Sequence, residues 1–400
     1  GERLHAVAGS FFEAPRGSQR YAAELVLFLE SDVDAYAAEF EEDFKTHDRG
    51  RTAMAISGGN SWFWDAHCEW LLGNGDTARV RAVVYAFGRH TLRARCAVPP
   101  DAALGPREAA RGEADWTRTV RFGLRIGRER GMLEVSLSHR RVIERKPLVL
   151  CSKPWYNVGG LERRYPGAVE EWLRYHHEVA GVQEFWLYDI DGSLAPFLQA
   201  SALAQAVRYF GRWPDAFPVL REMTDRGWPE TTEALAFDHC LYHNLGAADW
   251  IAYLHGLDAY YYRSRGDVRN VRMDLAASLA SLRDRYPRDP PLCAVSIRRC
   301  DFGGDLDPRQ GRAAGGPASS FRLRAENCSL HGAFERDDPV LAGDGSALYA
   351  LGHRAVCRPD SRTDVLGLEQ WRANHYIDSW KGRCGPRCRM RDDGLLRLLA

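Results

Sequence analysis

The sequence predicts an α/β protein, in which a mostly parallel sheet carries helices on both faces and a smaller β-rich domain precedes it. The chain of 400 residues exceeds the usual domain length of about 100–200 residues, so we expect two domains. Residues 1–146 have the pattern of short strands, whereas strands and helices alternate from residue 147 onwards. We therefore place a β-rich domain at 1–146 and an α/β domain at 147–400, and we expect the Gly-, Pro- and Ser-rich stretch 303–320 to be a flexible loop.

Short apolar or alternating runs support the β-rich domain. They cover residues 79–87, 91–98, 120–126 and 133–137, and turns that contain Gly, Asn-Gly-Asp or several arginines separate them. This spacing predicts a sandwich or a barrel rather than a series of βαβ units. Residues 21–44 fit either a helix or a strand.

A strand–helix–strand pattern begins the second domain. Residues 147–151 and 182–188 have the composition of buried strands, and a helix lies between Pro166 and Gly181. Its apolar positions follow the i, i+3, i+4, i+7 spacing, at Val169, Trp172, Leu173, His176 and Ala180. Such a βαβ unit implies parallel strands and a right-handed crossover. The alternation continues with helices at 194–203 and 231–245 and with strands at 206–210 and 250–254.

Two loops of this sheet are the places to search for a site, because open α/β sheets bind ligands outside the carboxyl ends of their strands. The loop after Tyr188 begins with Asp189-Ile190-Asp191, and an Asp-x-Asp at a strand end can hold a divalent metal against a diphosphate. The same residues are also explained by an Asx turn at Asp191. The second loop follows Leu254.

Charge and hydropathy exclude some classes of partner. The 54 basic and 54 acidic residues cancel, so no overall field favours nucleic acid or an anionic membrane. No run of about 18 apolar residues occurs, so we expect no membrane-spanning helix in this segment. The ten cysteines favour disulfides in an oxidising compartment over zinc, because no CxxC pair recurs at finger-like spacing. Asn327-Cys328-Ser329 is a glycosylation sequon.

Several separated fragments between about residues 148 and 381 resemble glycosyltransferase family 92, a group of nucleotide-sugar transferases with a GT-A type, Rossmann-like fold. The fragments are Leu150-Cys151, 169–176 (VEEWLRYH), 181–189 (GVQEFWLYD) with Ser193, 239–241 (HCL), 301–303 (DFG), Arg358-Pro359 and 374–376 (NHY) with 379–381 (SWK). None is specific alone, but their shared order and spacing are hard to obtain by accident.

The resemblance implies a UDP-sugar-dependent hexosyltransferase, with galactose as the donor sugar and a glycan or polysaccharide as the acceptor. It also implies the Golgi lumen and a type II membrane protein whose anchor is absent from this chain. The alternative is a catalytically impaired relative that binds nucleotide or glycan without transferring sugar.

That alternative arises because the acidic metal motif is eroded. The resemblance places the metal-binding Asp-x-Asp-Glu after the strand at 250–254, where His255 replaces the first aspartate and Asp258 is the one acid left. With His375 as a third ligand, these residues predict a weakened Mn²⁺ site, since imidazole suits transition metals better than magnesium. The alternatives are that His255 caps a strand end, that Asp258 begins a turn and that His375 is a core imidazole.

The resemblance also implies a donor site, and the position of one aspartate suggests a catalytic base. It places Asp189 and Asp191 near the nucleoside, where carboxylates can accept hydrogen bonds from a ribose diol or a uracil N–H. Arg298 and Arg358 are the expected electrostatic partners of the departing diphosphate. Asp301, near a predicted strand end, is the candidate base that takes the acceptor proton.

Overall fold

The chain was analysed as a computed structural model. The structure describes residues 3–13, 21–30, 34, 66–87, 91–99, 102, 115–126, 129–140, 145–214, 218–225, 232–263, 274–285, 290–303, 323–325, 337–351, 354–358, 361–366, 371–375 and 388–391. The expected loop at 303–320 and the sequon at 327–329 therefore lie almost entirely outside the described residues. The chain divides into two compact units, one comprising 1–145 and 214–247 and the other 146–213 and 248–400.

The first unit contains a closed barrel of seven strands. They are β1 (Arg3–Glu13), β2 (Tyr21–Glu30), β3 (His67–Leu71), β4 (Thr77–Phe87), β5 (Thr91–Ala97), β6 (Asp115–Ile126) and β7 (Glu129–Arg140). The order around the barrel is β1-β2-β5-β4-β3-β6-β7, and a parallel pairing of Ser10 with Ser138 closes it. Its interior consists of fully buried apolar side chains such as Leu25, Cys68 and Phe122.

The described helices are α1 (Val158–Arg164), α2 (Ala168–Glu178), α3 (Ala195–Ala200), α4 (Pro218–Asp225), α5 (Glu233–Asn244) and α6 (Leu275–Arg285), with one 3₁₀ turn at Ala204–Ala206. Both α4 and α5 belong to the barrel unit, and α5 packs on β1 and β2. No helix in the described part of the chain is long and apolar enough to cross a membrane.

The second unit is built around an eleven-stranded sheet. Its strands, together with a separate two-stranded sheet, are β8 (Lys146–Ser152), β9 (Glu184–Asp189), β10 (Val207–Gly211), β11 (Ala248–Leu254), β12 (Ala259–Arg263), β13 (Leu292–Gly303), β14 (Leu323–Ala325), β15 (Asp337–Ala342), β16 (Ala347–Leu351), β17 (Arg354–Cys357), β18 (Arg362–Leu366), β19 (Trp371–His375) and β20 (Cys388–Arg391). The main path is β10-β9-β8-β11-β15-β13-β14-β20; β18 and β19 pair with β13, β12 pairs with β19, and β16-β17 is the separate sheet.

The predicted fold class is wrong. The described residues are mostly antiparallel β, in curled and barrel-like sheets with six helices, and they do not form a mostly parallel Rossmann-like α/β fold with helices on both faces. Among the described strands, parallel pairing is confined to the run β10-β9-β8-β11, to the contacts of β13 with β18 and β19, and to the barrel closure. One isolated parallel bridge also joins Trp155 to Asp189. The reason is connectivity, because parallel neighbours need long crossover connections, which are usually helices, and α6 is the one helix among the described elements from β12 to β20. In that part of the chain β14, β15 and β20 pair antiparallel.

Helix α2 forms where the sequence predicted a helix, and its Trp172 ring packs against Phe185 of β9, with ring centroids 5.7 Å apart. At the amino end of α2, Glu162 of α1 accepts hydrogen bonds from the backbone N–H groups of Gly167 and Val169, at 2.8 and 2.7 Å. Trp172 and Leu173 are fully buried, each contributing about 1.5–3 kcal/mol through the hydrophobic effect. Trp172 is therefore a core residue, as the amphipathic pattern predicted.

The disulfide prediction is confirmed. Cys68 is bonded to Cys96 in the barrel, and Cys293 is bonded to Cys357 in the second unit. Cys151, Cys240 and Cys300 are also disulfide-bonded, and none of the described cysteines is free.

A buried ion pair joins α5 to the barrel. The guanidinium of Arg93 on β5 contacts the carboxylate of Asp238 on α5, and the two side chains are only 2% and 1% exposed. Burial raises the pKa of Asp238 to about 6, although the charge of Arg93 acts in the opposite direction. Neither charge can reach water, so each depends on the other.

We predict that Arg93→Met lowers the free energy of unfolding by about 3–5 kcal/mol at pH 8, because it leaves the Asp238 carboxylate buried without its cation. Urea denaturation measures the loss. The matched control is Arg121→Met, since Arg121 is 49% exposed and pairs with Glu69, so its loss should stay below about 1 kcal/mol. Equal losses in the two variants would contradict the assignment.

Candidate functional site

The carboxyl ends of several strands meet at one edge of the large sheet. Strands β10, β9, β8 and β11 are parallel, and Asp189 pairs with Gly211 while Ser152 pairs with Leu254. Strand β15 runs antiparallel to both β11 and β13, so β13 points in the same direction as β11, and β19 is parallel to β13. We call this side of the sheet the carboxyl edge.

Three predicted site residues come together at the carboxyl edge through backbone pairing. His375 lies opposite Ala259 in the antiparallel pair β12–β19 and opposite Asp301 in the parallel pair β13–β19. Asp258 immediately precedes Ala259, so Asp258 and Asp301 flank the backbone of His375 on its two sides. Neighbouring strands lie about 4.8 Å apart. The side chains of Asp301 and His375 are outside the described part of the structure.

The turn after β11 holds the carboxylate of Asp258 close to the backbone. The Ala259 N–H donates to the Gly256 carbonyl oxygen at 3.1 Å, and Asp258 is only 7% exposed. A Cβ on Gly256 would lie 2.9 Å from Asp258 Oδ1 and 3.9 Å from the indole nitrogen of Trp155. Gly256 therefore leaves room for this carboxylate over the loop, and Asp258 is the third residue of a turn that begins at Gly256.

His255 contacts a carboxylate that the sequence did not indicate. Its Nδ1 lies 3.3 Å from Oδ1 of Asp338, the second residue of β15. The Asp338 side chain is 2% exposed, whereas that of His255 is 12% exposed. Asp338 follows His255 by 83 residues and reaches it only because β15 is antiparallel to β11, so no local sequence signal could have found it.

The carboxylates of Asp189 and Asp191 bind the protein itself. Fully buried Asp189 accepts hydrogen bonds from the backbone N–H groups of Gly192 and Leu194, at 3.1 and 2.9 Å, and from the Tyr209 hydroxyl at 2.8 Å. Asp191 accepts from the backbone N–H of Asn157 at 2.8 Å and from that of Ser193 at 3.1 Å. The hydrogen bond from Ser193 forms the Asx turn that the sequence offered as one explanation of Asp191.

The pKa values of these two aspartates are shifted in opposite directions. Burial raises the pKa of Asp189, and the hydrogen bonds from Leu194 and Tyr209 only partly offset it. Burial acts in the same direction on Asp191, but the hydrogen bonds from Ser193 and Asn157 outweigh it, so the pKa of Asp191 is lowered. The pair therefore fixes the shape of the loop after β9 at the carboxyl edge.

The two predicted arginines differ in their distance from the carboxyl edge. The side chain of Arg298 is exposed on β13, three residues before Asp301. Arg358 follows Cys357, whose disulfide to Cys293 ties it to the beginning of β13. Eight residues of strand separate Cys293 from Asp301, roughly 26 Å, so the structure does not bring Arg358 to the carboxyl edge.

A shallow cavity elsewhere in this unit does not include any predicted site residue. It is lined by His177, Glu178, Gly181, Val182, Gln183 and Asp274. Residues 181–183 precede β9, so the cavity lies at the amino end of that strand, away from the carboxyl edge.

Helix α2 supports β12, the strand that begins after Asp258. The indole N–H of Trp172 donates to the Ala259 carbonyl oxygen at 2.9 Å, and the Tyr175 hydroxyl donates to that of Tyr261 at 2.7 Å. The ring of fully buried His176 stacks on Tyr260, with centroids 5.5 Å apart. These three residues belong to the fragment 169–176, which carries part of the family resemblance. They contact β12, the strand that begins directly after Asp258.

No family model and no curated protein matches this chain. Among solved structures it is similar to residues 1–349 of S. aureus TarS, a glycosyltransferase, at 9% identity and a TM-score of 0.29. The match covers 58% of this chain and 60% of the TarS chain, so this chain matches less than two thirds of that structure. At this identity and TM-score the likeness supports no conclusion about fold or chemistry.

We predict that Asp189→Asn lowers the free energy of unfolding by about 1–3 kcal/mol, because an Asn side chain has only one acceptor oxygen. If that oxygen faces the two donors Leu194 N–H and Tyr209 O–H, the NH₂ group faces the Gly192 N–H, which loses its acceptor. Tyr209→Phe removes one of the two and should cost about 1 kcal/mol. Urea denaturation of both variants measures the losses. A neutral Asp189→Asn would contradict a loop-shaping role.

We predict that His176 makes stability depend on pH. Burial lowers its pKa to about 3, whereas an unfolded histidine titrates near 6.5, so between these values only the unfolded chain takes up the proton. Stability from this residue is complete above pH 6.5 and falls by about 2 kcal/mol by pH 5. His176→Phe should remove that fall in urea denaturation at pH 7.5 and pH 5. The control His177→Gln should keep it; a wild-type pH response in His176→Phe would refute the prediction.

Proposed function

We propose that this chain is a glycosyltransferase that transfers a hexose from a UDP-sugar to a glycan or polysaccharide acceptor. The observation that supports this best is the backbone pairing that brings Asp258, Asp301 and His375 together. These three residues come from distant parts of the sequence, and two lie within fragments that resemble family 92. Asp301 and His375, which belong to two separate fragments of that resemblance, therefore lie opposite each other in the sheet.

The proposed reaction is one displacement at the anomeric carbon. A bond forms between the acceptor hydroxyl oxygen and this carbon while the bond to the β-phosphate oxygen breaks, and UDP leaves with the electron pair. The hydroxyl proton passes to a carboxylate, for which we propose Asp301 at the end of β13. The exposed guanidinium of Arg298 is proposed to interact with the leaving diphosphate.

The residues present fit a divalent cation by the chemistry of their donor atoms. His255 and Asp258 offer an imidazole and a carboxylate from one short turn, a combination that favours Mn²⁺ over Mg²⁺. We propose that they hold the ion with His375, whose side chain is not described; among the described residues no group of three such side chains is arranged to hold a metal. When bound, the ion would neutralise charge on the diphosphate.

The donor nucleoside is proposed to lie against the loop that Asp189 and Asp191 shape. Their hydrogen bonds to Leu194, Tyr209 and Asn157 support a role in fixing this loop. Galactose as the donor sugar and the Golgi lumen as the location belong to the proposal through the family resemblance. Disulfides suit such an oxidising compartment.

A second candidate function is binding without transfer. The observation that favours it is the turn after β11, which contains one carboxylate, Asp258, where the family motif has three acids. A protein of this kind would bind UDP or a glycan and release no UDP from a UDP-sugar.

We predict that UDP raises the thermal stability of the chain more with Mn²⁺ than without it, since a ligand stabilises by about 2.7 kcal/mol at 100 times its Kd. UDP release from UDP-galactose, measured with a panel of glycan acceptors, should depend on Mn²⁺. Asp258→Asn should reduce both responses, the stabilisation by UDP with Mn²⁺ and the Mn²⁺-dependent UDP release, at least tenfold, because it removes a charged ligand.

The control for this test is Asp284→Asn, which removes one exposed carboxylate from α6 and should leave both responses unchanged. Circular dichroism establishes that each variant is folded. Mn²⁺-dependent UDP binding without UDP release favours the second candidate function. If UDP and UDP-galactose leave the melting temperature unchanged with or without Mn²⁺, sugar transfer and nucleotide binding are both wrong, and only the glycan-binding form of the second candidate function remains.

A further inference from the structure

One outward face of the barrel carries large apolar side chains that are exposed to solvent. It is formed by β4, β3, β6 and β7, whose alternate residues point into the barrel core or out of it. Three of the outward side chains, Leu71, Val83 and Met132, are 69%, 53% and 52% exposed. We call this the exposed barrel face. Exposed apolar side chains grouped on one face are typical of interaction sites.

Charges alternate in sign along one row of the exposed barrel face. Glu69 on β3 lies between Arg79 on β4 and Arg121 on β6, and Arg121 in turn lies beside Glu134 on β7. The Arg121 guanidinium is 3.0 Å from the Glu69 carboxylate, and Arg79 contacts Nδ1 of His67 at 2.9 Å. Across the four strands the row is therefore positive, negative, positive and negative.

Such a row is complementary to itself when its order is reversed. A two-fold axis parallel to the strands, between β3 and β6, reverses the order of the strands in a second copy placed face to face. Arg79 then faces Glu134 of the second copy, and Glu69 faces Arg121 of that copy. An axis perpendicular to the strands would instead set each charge against its own equivalent. The charge pattern thus favours one orientation and disfavours the other.

The neighbouring row provides a flat surface for packing. It contains Arg81, His67, Gly123 and Met132, one on each strand. A Cβ at Gly123 would collide with the His67 ring and would lie 2.8 Å from Met132 Sδ, so the glycine lets both side chains lie over the sheet. Under the same two-fold axis, Met132 faces the aliphatic part of Arg81 in the second copy. Both methionine and arginine are enriched at protein interfaces.

We propose that the exposed barrel face is the interface of a symmetric dimer, in which the charge row of one copy pairs with the reversed row of the other. The exposed apolar side chains supply the buried area, and the charges fix the orientation. The outer strands of the face are roughly 15 Å apart, which is small for an interface, so we expect a dimer that dissociates at micromolar concentrations. This inference concerns the first unit alone and does not depend on the proposed function.

The test is sedimentation velocity of the whole chain over a concentration series, with two variants of opposite charge. The variant Arg79→Glu with Arg121→Glu makes the row entirely negative, and Glu69→Arg with Glu134→Arg makes it entirely positive. Each variant alone should dimerise at least about tenfold more weakly than the wild type, because like charges then face each other. An equimolar mixture of the two should form a heterodimer with an affinity close to that of the wild type.

The control is Arg163→Glu with Arg174→Glu, which makes the same change of charge on exposed residues of α1 and α2. It should dimerise as the wild type does, and circular dichroism establishes that each variant is folded. A further measurement needs no variant. In the wild type, phenylglyoxal labelling of Arg79 and Arg121, read by mass spectrometry, should be lost at concentrations where the chain is dimeric, whereas labelling of Arg174 should not change.

Several outcomes would overturn the dimer. A wild type that stays monomeric well above micromolar concentrations does so, as do folded variants that dimerise like the wild type or whose mixture stays monomeric. Where a variant does not fold, the labelling decides: equal labelling of Arg79 and Arg121 in monomer and dimer means that another surface joins the copies. None of these results bears on sugar transfer, which UDP release measures separately.

Discussion

The antiparallel insertion of β15 between β11 and β13 is the constraint on which the candidate site depends. Val340 pairs with Ala252 on one side and with Val295 on the other, and all three are fully buried. A slip by one residue would turn every side chain of β15 to the opposite face. Gly343 also pins the register, because a Cβ there would lie 1.9 Å from the Ala248 carbonyl oxygen. This arrangement makes β11 and β13 end at the same edge, and it brings Asp338 into contact with His255.

Local sequence predicted several of the elements up to β11, but not β1, β3, α1 or α4, and not the architecture. Helix α2 and strands β8, β9 and β11 form where their periodicity predicted them, because each buries a continuous apolar face or run. The direction of the later strands depends on pairings between distant segments, such as β13 with β19. The spacing of apolar residues within one segment does not indicate which distant segment it will pair with. The mostly parallel sheet was therefore predicted by extending a local pattern beyond the last crossover helix.

The same distinction separates the site residues that the sequence indicated from the one it missed. His255 and Asp258 follow directly after a buried strand, so their place at a strand end could be predicted. Asp338 follows no such signal, since its partner is 83 residues away. The family resemblance named Asp189 as a ligand contact, yet its carboxylate accepts three hydrogen bonds from the protein. An acidic residue at a strand end is thus equally suited to shaping a loop.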